Sequence, residues 1–147
     1  MPKLLFVCLG NICRSPAADG VATALSRKLG LNWQIESAGT GAWHAGAPPD
    51  PRMVAAAAQR GLDLSGLRAR QAVARDFLDV DHIFAMDRQN LADLRQIQPP
   101  GAPARLQLFL SEGDVPDPYY GGDQGFEQVL DLIESRMPQL FDSIQRG

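Results

Sequence analysis

The stretch KLLFVCLGNICRS, residues 3–15, decides how the rest of the chain is read. After Lys3 it is apolar through Cys8, the pattern of a short strand buried on both faces. Gly10 and Asn11 then tolerate the left-handed backbone that a tight turn demands. Ser15 and Pro16 follow as a helix start, with proline near the first helical position. A loop between a strand end and a helix N-terminus gathers backbone N–H groups at one spot, and the helix dipole adds partial positive charge there. Such a loop is an anion cradle. Leu9, Gly10, Asn11, Ile12, Cys13 and Ser15 would line it, and Arg14 would add a forked cation matched to two oxygens of a phosphate.

Downstream the same grammar repeats. Helix is expected over residues 16–29, with Val21, Leu25 and Leu29 at helical spacing and Gly30 as its stop. A second strand is expected at 33–38, a Gly/Pro-rich loop to Pro49, and an alanine-rich helix at 52–60. Residues 63–77 read as basic and less regular. A third strand at 81–86, a helix capped by Asp87, and a fourth strand at 105–110 complete the alternation, before a long loop at 111–122. The last helix starts near Asp123 and should bury Phe126, Val129, Leu130, Ile133, Met137, Leu140 and Phe141, with a kink or break at Pro138. Strands alternating with helices predict a single α/β domain over 1–147, with a short, twisted parallel sheet of about four strands and helices on both faces. Ligands of such sheets bind beyond the C-terminal strand ends. Four loops should meet there: 9–15, 39–49, the start near Asp87, and 111–122.

The composition narrows the function. A formal net charge of −3 argues against a nucleic-acid partner. The only two cysteines, Cys8 and Cys13, are too few and too close for a disulfide framework, so they read as free thiols of a reducing, cytoplasmic compartment. No secretory leader and no apolar run of membrane-spanning length is expected. His44 and His82 lack metal-ligand spacing, and no metal or other cofactor is expected. His82 should lie beside its strand and His44 on the pocket rim. Arg68, Arg70 and Arg75 read as a solvated face.

Within the cradle, a cysteine at a strand end is most often a small hydrophobe. Here its strand–loop–helix setting makes Cys8 a candidate nucleophile, because the field that binds phosphate also favours a negative sulfur. Attack on an aryl phosphate needs an acid for the leaving oxygen. Asp117, held extended before Pro118, is a candidate, as are Asp114 and Asp123; an Asp-Pro pair also simply starts turns. Asp50 and Asp87 read as helix caps. Trp43, Tyr119 and Tyr120 would wall a pocket for an aromatic ring, or pack locally in their loops.

Taken together, these residues resemble the low-molecular-weight protein tyrosine phosphatases, over essentially the whole chain. VCLGNICRSP at 7–16, SAG at 37–39, Trp43, PDPR at 49–52, MDxxNL at 86–91 and DPYYG at 117–121 fall at the family's spacing. The resemblance implies a phosphotyrosine hydrolase working through a cysteinyl-phosphate. Cys8 would be the nucleophile, Arg14 and the loop amides the phosphate binders, and Ser15 a hydrogen-bond partner of the Cys8 sulfur. Asp117 would be general acid and then base, with Trp43 and Tyr119 flanking the ring. It also implies a reversible Cys8–Cys13 disulfide, an Asn11–Ser37 contact beneath the loop, and a tyrosine-phosphorylated protein, such as a tyrosine autokinase or its substrates, as partner. One departure stands out: where many relatives carry a histidine before R-A-R-Q, this chain has Leu67, which should thin the network around Asn11. Arsenate reductases of the same fold family need further cysteines downstream, and none follows Cys13. A non-catalytic phosphate binder would not need both Cys8 and Asp117. A thiol–disulfide exchanger would leave Arg14 without a role.

Overall fold

The computed structural model describes residues 2–119 and 121–147, with the side chain of Asp123 left aside. Its sheet contains β1 (Lys3–Cys8), β2 (Gln34–Gly39), β3 (His82–Ala85) and β4 (Arg105–Leu108). They run in the order β2-β1-β3-β4, every pair parallel. The helices are α1 (Arg14–Lys28), α2 (Pro51–Ala58), α3 (Asp76–Asp79), α4 (Arg88–Ile97) and α5 (Asp123–Arg146).

Period-two alternation in β1 splits its apolar run between two cores. Leu4, Phe6 and Cys8 face α1, α2 and α5, together with Met53, Phe126, Ile133 and Phe141. Leu5 and Val7 face the other layer with Phe77 of α3 and Leu94 of α4. Phe6 stacks on Phe84 and meets Phe109 edge-on, at centroid distances of 5.6 and 5.9 Å. The central strand is therefore clamped from both sides, and its C-terminal residue, Cys8, inherits a fixed position.

The apolar residues expected inside α5 are all buried. Of the kink or break expected at Pro138, the break does not occur: α5 runs unbroken through it. Pro138 lies on the exposed side of the helix, where its missing N–H costs least. Buried Ile133, Met137, Leu140 and Phe141 hold the helix on either side. Asp50 and Asp87 cap α2 and α4 as expected, accepting from the N–H groups of Arg52 at 2.8 Å and Asn90 at 2.7 Å. Among the described residues no helix is long and apolar enough to cross a membrane.

Candidate active site

The loop after β1 is fastened by its carbonyls. Cys8 O accepts from Thr40 N at 2.9 Å, Leu9 O from Gly41 N at 3.0 Å, Ile12 O from Asp50 N at 2.8 Å, and Cys13 O from Ala17 N at 3.2 Å. The N–H groups of residues 9–13 find no protein acceptor among the described residues. A turn with four of its carbonyls satisfied and a run of donors unspent is built for an anion. Asn11 sits at φ +58°, and its side chain braces that strained turn. Its Oδ1 accepts from the Arg70 N–H at 3.0 Å, and its Nδ2 donates to Ser15 Oγ at 2.7 Å. Beneath the loop only glycine fits at position 39, because a Cβ there would lie 2.8 Å from Leu9 O and 3.1 Å from Asn11 N.

Ser15 is fully buried, and its Oγ lies 3.1 Å from Cys8 Sγ and 3.2 Å from Ala38 O. The single hydroxyl proton serves either the carbonyl or the sulfur. Once the sulfur is negative it is the stronger acceptor.

Arg14, 2% exposed, extends from the first residue of α1. Nη1 donates to Asp87 Oδ2 at 2.6 Å and to Val115 O at 3.0 Å. Nη2 lies 3.6 Å from Asp117 Oδ2, and Nε is buried with no protein acceptor. Nη1 is thus committed to the scaffold, and the Nε–Nη2 edge is left for a bidentate oxyanion. Burial works against the charge on Arg14, but Cys8, Asp87 and Asp117 outweigh it and hold its pKa above the ordinary value. The second cysteine is different. Burial first, then Asp50, Cys8 and Asp117, push the Cys13 thiol far up, with Arg52 offsetting only part. Cys13 is therefore held as a thiol.

A pocket of about 320 Å³ opens over this loop, lined by Cys8, Leu9, Gly10, Ile12, Cys13, Arg14, Trp43, His44, Asp117 and Tyr119. Of the four loops expected at the sheet's C-terminal edge, three line this pocket, and the start near Asp87 reaches it through Arg14. Trp43 is 72% exposed, yet its ring lies over Gly41, where a Cβ would collide with it. His44 and Tyr119 face each other across the rim at 6.2 Å. Asp117 turns its own chain by accepting from the Tyr119 N–H at 3.0 Å, leaving its other oxygen toward Arg14. Of the rival acids, Asp114 is bound to the N–H of Arg88 at the start of α4, and it does not line the pocket. The Asp123 side chain and Tyr120 lie outside the described residues.

Three expectations change. Ser37 makes no hydrogen bond to Asn11; it lies near Asp19 of α1, whose carboxyl it and Thr23 hydrogen-bond. Asn11 is held by Ser15 and the Arg70 backbone instead, and Leu67 packs into the core beside α1, α2 and α5. Arg70 is not a solvated residue, since it is half-buried and paired with Asp76 at 3.0 Å. Asp87 is more than a cap, because its second oxygen holds Arg14. That role could have been suspected from MDxxNL at the sheet's C-terminal edge; the Arg70 N–H leaves no trace in a sequence.

Comparison with known proteins agrees with this geometry. The family model described as low molecular weight phosphotyrosine protein phosphatase matches residues 3–147. A low-molecular-weight protein-tyrosine-phosphatase of Bacillus subtilis, YfkJ, is 40% identical, over 99% of this chain and 97% of its own. The crystal structure of a protein tyrosine phosphatase from Entamoeba histolytica, with Hepes in the active site, superposes at a TM-score of 0.94 with 37% identity, covering 100% of this chain and 99% of that one. A Drosophila arginine phosphatase superposes at 0.90 with 32% identity, covering 97% of each chain. The chain belongs to the low-molecular-weight protein tyrosine phosphatases, a family of hydrolases.

Proposed function

We propose that this enzyme hydrolyses phosphotyrosine through a cysteinyl-phosphate on Cys8. The observation that carries the reading is the divided guanidinium of Arg14, fixed through Nη1, without a protein acceptor at Nε, and with Nη2 held only by Asp117 at 3.6 Å, beside the sulfur-bearing loop. In the first step the Cys8 thiolate forms the S–P bond while the P–O bond to the phenol breaks. Protonated Asp117 gives its proton to the leaving oxygen. Charge on the equatorial oxygens falls on the loop N–H groups and the open edge of Arg14. In the second step water attacks phosphorus, Asp117 takes its proton, and the sulfur leaves as a thiolate that accepts from Ser15 Oγ–H. The product is inorganic phosphate, and no cofactor enters.

The walls of Trp43, His44 and Tyr119 suit a flat ring ahead of the phosphate. The similar arginine phosphatase makes phosphoarginine the informative competitor. In a peptide panel, turnover is expected on phosphotyrosine, with phosphoserine and phosphoarginine at least about tenfold poorer in kcat/KM. Cys8→Ser should abolish turnover on all, and chelator should leave it unchanged. Equal use of phosphoserine and phosphotyrosine would overturn the assignment. The partner is then a tyrosine-phosphorylated protein, a tyrosine autokinase or its substrates among them, met in the cytoplasm. Cys13, a buried thiol in the same loop, supports a redox switch. Peroxide would oxidise Cys8 to the sulfenic acid, and Cys13 would displace water to form a disulfide that added thiol reduces.

A further inference from the structure

The PDPR motif at 49–52 has no part in the chemistry above, yet its last residue touches the loop that carries the acid. Arg52 Nη2 donates to Tyr119 O at 3.0 Å. Its guanidinium lies over the Tyr119 ring at 5.6 Å and over the Phe126 ring of α5 at 4.7 Å. The same guanidinium is clamped from below by Asp50, with Nε at 3.1 Å from Oδ1 and Nη2 at 2.8 Å from Oδ2. Asp50 in turn donates its N–H to Ile12 O of the anion-binding loop at 2.8 Å. A continuous chain of contacts therefore runs from Ile12 through Asp50 and Arg52 to Tyr119, and through the Tyr119 N–H to Asp117 Oδ1 at 3.0 Å.

We propose that Arg52 is a positioning residue that docks the Asp117-bearing loop over the anion-binding loop, and so sets the reach of the acid and the angle of the Tyr119 wall. The inference rests on the reading of Asp117 as the acid. Stability alone is a poor explanation for the arrangement, because a 40% exposed guanidinium paired with one carboxylate contributes little. The α2 cap does not need the side chain either, since Asp50 Oδ1 already takes the Arg52 main-chain N–H. What the side chain adds is a planar fork that reaches a carbonyl, a carboxylate and two ring faces at once, which lysine does not reproduce. Among the described residues the backbone bonds of that loop include Val115 N to Met86 O, ahead of Asp117, and Gly121 N to Pro118 O.

The test compares leaving groups in the full-length enzyme. Phenyl phosphate depends on the acid and 4-nitrophenyl phosphate depends on it far less. Arg52→Met, which keeps an apolar stem against Phe126, should lower kcat/KM for phenyl phosphate by about tenfold or more, but for 4-nitrophenyl phosphate by no more than about threefold. Arg52→Lys should recover part of the loss. Added to Asp117→Asn, Arg52→Met should bring no further leaving-group dependence, because the two changes remove one function. Equal losses on both substrates, or fully additive effects in the double variant, would overturn the role of Arg52. Absence of leaving-group dependence in Asp117→Asn itself would overturn the acid, a separate failure. Arg52→Gln supplies the same comparison should Arg52→Met not fold.

Discussion

Arg14 gives Nη1 to Asp87 and to the carbonyl of Val115 and keeps Nε without a protein acceptor. A guanidinium free to rotate would meet a phosphate in many orientations; one pinned at a single nitrogen presents the opposite edge ready-made. Asp87→Asn tests this, because it keeps the shape of the side chain and an oxygen for the Asn90 N–H but removes the charge. We expect kcat/KM for an aryl phosphate to fall at least about tenfold. The unfolding free energy should drop by ~1–3 kcal/mol, as a buried hydrogen bond between charged groups is degraded. Steady-state kinetics and urea unfolding measure the two effects separately.

On the scale of elements, the contact between β2 and the loop after β1 is as tight as backbone atoms allow. Gly39→Ala would put a methyl group 2.8 Å from Leu9 O and 3.1 Å from Gly10 C, both main-chain atoms. The loop must yield, and displacements of about 1 Å at a reacting centre cost up to ~100-fold in rate. We expect at least about tenfold lower kcat/KM with an unchanged far-ultraviolet circular dichroism spectrum. A loss under about twofold would show that the loop relaxes without consequence. Elements of this kind were legible in the sequence where a local rule governs them. The apolar run of β1, the glycine and asparagine of the turn, the aspartates before α2 and α4, and the spacing of Phe126 to Phe141 each state their role within a few residues. What escaped was set by tertiary partners. The Arg70 N–H that anchors Asn11 is a main-chain group and has no sequence signature. Asp87 satisfied the reading of a cap so fully that its second oxygen went unassigned.

Across the whole molecule, one buried carboxyl ties stability to pH. Burial raises Asp19 from 3.8 to about 6, against hydrogen bonds from Thr23 and Ser37, with Glu36 adding to the rise. An acid whose folded value lies above its unfolded one contributes stability that is fully present below the unfolded value, near pH 3.8, and is lost as pH rises through about 6. The swing is on the order of 3 kcal/mol. Asp19→Asn removes it. The stability of the native protein minus that of Asp19→Asn, from urea unfolding between pH 4.5 and 8, should therefore fall as pH rises. A flat difference would show that Asp19 keeps an ordinary acidity, and a rising one that folding lowers its pKa.

The Arg14 guanidinium draws on Asp87, Val115 and Asp117, between 73 and 103 positions further along the chain. During synthesis the sulfur and the cation leave the ribosome well before the groups that aim them. Until those groups emerge, the growing polypeptide has nothing to orient its Arg14 guanidinium. The same dependence makes a single proteolytic nick between 111 and 119 a means of silencing the enzyme while the sheet stays intact.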